Sequence, residues 1–263
     1  MKLPNKFSDR EEFKAALKTF FAEAAAEHPE ISETRGGRQA AEKLLRQIDP
    51  ISYFKTRNHL QGAVTKLSPY LTHGVVSLAE VRIIALRKAG VAAGKLIQEL
   101  AWRDYFQRIY HQIGNGIWKD RESPKTGFRP ADYVDEMPVD IESGQSSLHC
   151  MNSFSRELKD TGYLHNHVRM WMAAYLIHWR KVSWQTGARW FLRHLLDGDP
   201  ASNNLSWQWI ASTFSIKPYI FNRDSLEQFT DGIYCRKCIL RDEGCPFEAT
   251  YEELRARLFP NQS

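Results

Sequence analysis

At 263 residues the chain can form one large domain or two small ones, and its 43% apolar content is ample for a packed core. Lys and Arg number 36 against 31 Asp and Glu, a net charge of +5 that suits a polyanionic partner without identifying one. Four cysteines in a chain this long argue against a secreted disulfide scaffold.

The opening MKLPNKFSDREEF has no apolar core of the kind a signal peptide needs. Residues 9–27 then place apolar side chains at helical spacing behind Asp9, PEISETRGGR breaks the pattern, and residues 38–48 resume it. A helix over 77–90 is expected between a Ser77 cap and Gly90, followed by a long one from about Ala92 to Ile113. Three prolines and many charges make 114–144 irregular, and helices are expected again at 147–160, 165–181, 185–196 and 200–213. The longest apolar stretch, VRMWMAAYLIHW, is too short and too broken to span a bilayer, so a cytoplasmic protein is expected. Strand signal is sparse and no repeat divides the chain. The expected architecture is all-α: a helical leader over 1–35, one domain over 36–233, and a Cys-containing appendage over 234–263.

Three of these helices share a pattern. In LLDGDPASNNLSWQWIASTF, Asp199 is a good N-cap, Pro200 fits the first helical position, and Asn203 and Trp207 share a face. On the long helix Glu99, Trp102, Arg103 and Phe106 stand at i, i+3, i+4 and i+7, and Asn166, Arg169, Met170 and Ala173 repeat that spacing. Each face alone reads as a surface ion pair beside ordinary packing. Together they point to a shared cavity for a flat, polar-edged aromatic ligand. Upstream, VTKLSPYLTHG sets Thr65 and Ser68 before a Pro-containing helix start, where hydroxyls and free N–H groups bind phosphate; the same residues also cap ordinary helices.

In this order and at these spacings, TKLSPYLTHG, ELAWRDYF, LHNHVRM, DGDPASNNLSWQW and KPYIFN resemble the FAD-binding half of the photolyase/cryptochrome family, over roughly residues 36–222. The resemblance implies a helical FAD-binding domain. It implies that Tyr53, Thr65, Lys66, Leu67 and Ser68 hold the pyrophosphate and ribityl part. It places Arg103, Arg169, Asp197, Gly198 and Asp199 around the flavin and adenine, and Asn203 opposite flavin N5. Trp207 matches the flavin-proximal electron donor and Trp184 the middle member of its chain. The outer member has no clear match, with Trp118 and Trp190 as alternatives and plain core packing as the other reading. Glu99, Trp102, Asn166, Met170 and Trp209 match positions that hold a flipped cyclobutane pyrimidine dimer, and Arg57 matches a DNA-backbone contact. Members specific for the (6-4) lesion carry histidines where Asn166 and Met170 stand, so the cyclobutane class is expected.

The function implied is blue-light-driven repair of pyrimidine dimers in single-stranded or duplex DNA, by a deoxyribodipyrimidine photolyase-like lyase. The alternative is a cryptochrome-like photoreceptor that binds FAD and signals to a protein partner. No counterpart of the family's N-terminal α/β antenna domain occurs, so no antenna chromophore is expected. Cys235, Cys238 and Cys245 form C-x2-C-x6-C, ending in Cys-Pro, and Cys150 lies far upstream. This set is similar to the iron–sulfur branch of bacterial photolyases and implies a four-iron four-sulfur cluster. The spacing also suits zinc, and unligated thiols are the third reading.

Overall fold

Many helices in this chain start where a side chain satisfies the free N–H groups of a first turn, as at Asp9, Asp49, Ser77 and Asp199. A computed structural model describes residues 4–27, 31–242 and 244–262. Helix α1 (Arg10–Phe20) is capped by Asp9, which accepts from Glu12 N–H, and α2 (Ala22–Glu27) follows it. Both belong to one compact unit, Met1–Arg35, and Gly36–Ser263 form a second.

The second unit begins with α3 (Arg38–Gln47) and α4 (Pro50–Thr56), the latter capped by Asp49 with proline at its start. Next come α5 (Ser68–Thr72), α6 (Leu78–Ala89) and the long α7 (Gly94–Ile113). Ser77 caps α6 and Gly90 ends it at φ 52°, a left-handed conformation suited to glycine. After the irregular stretch come α8 (Val139–Glu142), α9 (His149–Thr161) and α10 (Asn166–Ala174). The helix expected over 165–181 changes character at Tyr175, where a π-helical turn over Tyr175–Trp179 takes over. Helices α11 (Trp184–His194), α12 (Pro200–Ala211), α13 (Arg223–Thr230) and α14 (Tyr251–Leu258) complete the unit. Among the described residues no β-strand forms, only an isolated bridge between Val134 and Val182. No helix among them is long and apolar enough to cross a membrane.

Two larger cores and a small cluster of Ile220, Leu254, Leu258 and Phe259 hold the described helices of this second unit together. The larger joins α9 to α12 around Trp171, Phe154, Phe191 and Phe221, all essentially without solvent exposure. The smaller joins α3, α5, α6 and α7 through Leu45, Tyr70, Val81, Ala85 and Leu96. The stretch after residue 233, expected as an appendage, contributes Cys235 and Phe247 to the larger core, with the Phe247 ring 4.7 Å from Phe221 and 5.3 Å from Trp179. Burying such aromatic rings accounts for about 3–5 kcal/mol each when truncated to alanine.

His178 ties the π-helical turn to α12. Its Nε2 lies 3.1 Å from the Ile210 carbonyl oxygen, its ring meets Phe259 edge-on, and burial holds its pKa down to about 3. Burial also holds His165 down to about 4. Unfolded histidine titrates near ~6.5, so below that pH the unfolded chain binds protons that the folded chain refuses. Stability is therefore full above about pH 6.5 and declines as pH falls toward these lower values. Urea midpoints should drop between about pH 6.5 and 4.5, and His178→Gln should make the decline shallower. A midpoint that stays level across that interval rejects this assignment.

Candidate functional site

The turn before α12 brings α5, α7 and α10 to two carboxylates. A Cβ on Gly198 would lie 3.0 Å from the Leu195 carbonyl oxygen and 3.3 Å from that of Leu192, so glycine lets the turn close tightly. Asp199 then caps α12: it accepts from the backbone N–H of Ala201 and Ser202 and from Ser202 Oγ at 2.6 Å. Gln107 Nε2 of α7 donates to the same carboxylate at 2.6 Å, and Arg103 Nη2 lies 3.6 Å away. Arg103 also donates to Thr72 Oγ1, which donates to the Asp197 carbonyl oxygen. The protein itself fills both Asp199 oxygens, so this residue braces α5, α7 and α12 against one another.

Asp197 is different. Its Oδ2 accepts from Arg169 Nη2 at 2.9 Å, while its Oδ1 is buried and has no partner among the described residues. Arg169 is anchored on the Leu164 carbonyl oxygen at 2.9 Å and packs over the Tyr163 ring, with Lys66 Nζ near that ring too. Burial pushes the Tyr163 hydroxyl up from its ordinary pKa, a sign of a dry wall. A buried carboxylate oxygen left unpaired costs about 1–3 kcal/mol or more, and a ring N–H or a hydroxyl removes that cost. FAD carries both kinds of donor, and the residues here fit it.

The remaining expected cofactor residues surround this point unevenly. Asn203 donates its amide N–H to the Ala188 carbonyl oxygen at 3.0 Å and to Asn204 Oδ1, which sets its orientation. Tyr53 packs under the Arg57 guanidinium. Lys66 takes φ 52°, a left-handed conformation uncommon for a residue with a side chain. The Thr65–Ser68 segment departs from the expected phosphate-binding helix start. Helix α5 has five residues, its cap is Leu67, Ser68 is already helical, and Thr65 Oγ1 accepts from Leu67 N–H. Leu67 turns its side chain into the smaller core, so only its backbone is left to meet a ligand.

Trp207 is buried against Phe191 of α11, the two rings edge to face at 5.0 Å. A Cβ on Gly187 would sit 2.2 Å from Trp207 Cη2, so the indole occupies the space that glycine leaves. One turn earlier on α11, Trp184 donates Nε1–H to Asp120 Oδ1 at 2.7 Å and stacks on Trp118, with ring centroids 6.4 Å apart and planes 6° from parallel. Trp118 is half-buried, beneath the Arg189 guanidinium. Trp190 is instead buried in the larger core with its Nε1 unpartnered.

On the outer rim, Trp102 and Trp209 are 47% and 43% exposed, unusually open for tryptophan, on the packed helices α7 and α12. Phe106 of α7 meets Phe214 just past α12 and lies behind Trp102. Glu99 pairs with Arg57 at 3.3 Å and Lys95 at 2.8 Å. Asn166 is exposed, with its amide 3.5 Å from the Met170 sulfur. The neighbouring histidines turn inward: His165 Nδ1 accepts from His167 N–H, and His167 stacks on Trp171.

Cys150 of α9 and Cys235, Cys238 and Cys245 line one small cavity with Leu148, Leu226, Tyr234 and Phe247. Burial raises the Cys150 thiol and lifts Cys235 to about 12. Among the described residues no group of three or more His, Cys, Asp or Glu is tight enough to hold a single metal ion. Arg223 and Arg241 line the same cavity, and the Arg223 Nε is buried 4.0 Å from Glu227 Oε1, without a hydrogen bond among the described residues.

Sequence reasoning missed Gln107, Thr72, Lys95 and Gly187, and it named Trp118 without choosing between it and Trp190. Gln107 and Lys95 were detectable in principle, each four residues from an expected site residue on α7. Trp118 lies in a 3-10 turn over Gly114–Trp118, where no helical period marks its direction.

A helical domain with a buried, half-satisfied carboxylate and half-exposed indoles on two packed helices defines the class of the chain as an all-helical ligand-binding domain. Residues 96–256 match the family described as the FAD binding domain of DNA photolyase, and the chain belongs to the photolyase/cryptochrome family. It is 35% identical over 183 residues to the deoxyribodipyrimidine photo-lyase of Streptomyces griseus, an alignment covering 68% of this chain and 40% of that protein. An archaeal photolyase from Sulfolobus tokodaii, solved with two FAD molecules, is similar with a TM-score of 0.64 at 26% identity, over 85% of this chain and 50% of that one. A class III photolyase from Agrobacterium tumefaciens shares the fold, with a TM-score of 0.68 at 23% identity, over 98% of this chain and 62% of that one. The chain thus spans less than half the length of that Streptomyces relative.

Asp197→Asn should weaken FAD retention by about tenfold or more, because the amide disrupts the Arg169 pair and removes a charged acceptor. Asp199→Ala should cost about 1–2 kcal/mol of folding stability with or without flavin, through the lost cap. Flavin release on gel filtration and thermal melts of both variants check this pair; equal flavin loss without destabilisation in Asp199→Ala would contradict the brace.

Proposed function

We propose that this chain repairs cyclobutane pyrimidine dimers in DNA under blue light, a reading supported by its similarity to the deoxyribodipyrimidine photo-lyase of Streptomyces griseus. The observation that carries the reading is the pair of half-exposed indoles, Trp102 and Trp209, on the packed helices α7 and α12, in the unit that also holds the buried Asp197–Arg169 pair. Indoles of this exposure stack on extruded bases, each worth about 1–3 kcal/mol. Glu99 and the Asn166 amide supply polar contacts for the edges of the flipped dinucleotide. When bound, reduced FAD supplies the photoexcited electron that splits the dimer and receives it back. Asp197 and Arg169 hold that cofactor, and Asn203 faces it from α12. Electrons that restore the reduced state enter at half-buried Trp118 and pass through Trp184 to Trp207.

The deciding measurement is loss of dimers from single-stranded and duplex oligonucleotides, with and without blue light, using protein that contains FAD. Light-dependent loss supports repair, whereas photoreduction without any dimer loss leaves the photoreceptor reading. Trp207→Phe and Trp118→Phe should each slow photoreduction at least tenfold while FAD content holds; unchanged rates in Trp118→Phe move the outer donor elsewhere.

We also propose that Cys150, Cys235, Cys238 and Cys245 hold a four-iron four-sulfur cluster. Support comes from four soft ligands converging on one apolar cavity from α9 and from the C-x2-C-x6-C loop. Arg223 and Arg241 beside them offset thiolate charge. Anaerobic purification should yield about four irons per chain, abolished by Cys238→Ser. Stoichiometric zinc, or no metal, rejects the cluster.

A further inference from the structure

Lys95 stands where rules of helix stability do not want it. It is in the first turn of α7, where the helix dipole disfavours a cation. It also precedes Glu99 by four residues, the less favourable order for a Lys–Glu pair. Yet its ammonium lies 2.8 Å from Glu99 Oε1 and 2.9 Å from Gln98 Oε1. Arg57 reaches the same Glu99 oxygen from α4, at 3.3 Å. One carboxylate thus holds two cations, and the trio keeps a charge of +1. The three side chains are 23%, 27% and 31% exposed for Arg57, Lys95 and Glu99, so solvent reaches them and they are not sealed in a core.

The trio adjoins the aromatic rim. Lys95, Glu99 and Trp102 follow one stripe of α7, spanning about 10 Å at ~1.5 Å per residue. A strand lying along that stripe meets a cation, a carboxylate and an exposed indole in order. Arg57 also packs over Tyr53, so the same cluster touches the shell expected around the cofactor.

We propose that Lys95 and Arg57 form a two-cation clamp for a backbone phosphodiester of a DNA strand, with Glu99 holding the clamp closed until the strand arrives. This inference rests on the repair reading and adds Lys95 as a positioning residue. A phosphate bridging the two cations replaces the Glu99 carboxylate as their partner. Glu99 is then free to turn toward the bases stacked beside Trp102. The exchange conserves charge pairing throughout: each cation trades one anionic oxygen for another. Each phosphate contact so made releases condensed counterions, which ties the clamp to salt.

The test uses FAD-loaded protein and fluorescein-labelled single-stranded oligonucleotides, undamaged or carrying one dimer, titrated by anisotropy from about 50 to 200 mM salt. Lys95→Gln should weaken both by about three- to tenfold and lower the salt slope by about 0.7. Lys95→Arg should restore most of the affinity and slope. Glu99→Gln should tighten the undamaged oligonucleotide severalfold, because both cations are released, while slowing repair of the damaged one. A merely structural ion pair predicts none of these salt-slope changes. If wild-type protein binds DNA and Lys95→Gln keeps its affinity and slope, the clamp is wrong and the repair reading stands. If wild-type protein binds DNA, Lys95→Gln loses affinity and slope, but light removes no dimers, the clamp stands and the repair reading falls. If wild-type protein binds no DNA, both fall.

Discussion

The site depends on one buried carboxylate that the protein satisfies only by half. Asp197 receives Arg169 on one oxygen and nothing on the other, in a turn that Gly198 closes and Asp199 pins. A charged oxygen in a dry wall is tolerated because Arg169 is tethered beside it and because a ligand donor completes the set. The surrounding bonds of Gln107, Arg103 and Thr72 tie α5 and α7 to the turn before α12 and so fix the position of that carboxylate.

Helix α12 then divides two tasks by its period. Trp207 and Trp209 are two residues apart, so they point about 200° from each other around the helix. Trp207 goes inward, into the space left by Gly187 of α11, the helix that also carries Trp184 of the Trp184–Trp118 stack. Trp209 goes outward and stays half-exposed beside Tyr219. The two indoles are thus placed on opposite faces of one helix, which fixes both relative to Asp197 just before its N-terminus.

The C-terminal stretch has a comparable economy. Phe247 packs between Phe221 and Trp179, and Cys235 joins the larger core, so the loop that carries three cysteines is held against α9 and its Cys150. Two arginines close one side of the resulting cavity. That arrangement sets four thiols together around one cavity.

By itself the sequence determined the helical class, most of the long helices and the five motifs that identify the family. Helical period is a local property, and Asp9, Ser77 and Asp199 are caps readable in place. The short helices α4, α8, α13 and α14 escaped because four to eight residues carry too little period to register. Motif matching also named Asp197 and Asp199 together, as if equal. Only the tertiary structure separated them, because the difference lies in Gln107, which is 92 residues away from Asp199 along the chain. Trp118 and Trp184 likewise become a stacked pair only when the irregular stretch folds back on α11. The double pairing of Glu99 joins α4 to α7 and appears in no local pattern. Spacing along a chain reports which residues share a face; which faces meet is decided by how cores close, and that is a property of the whole fold.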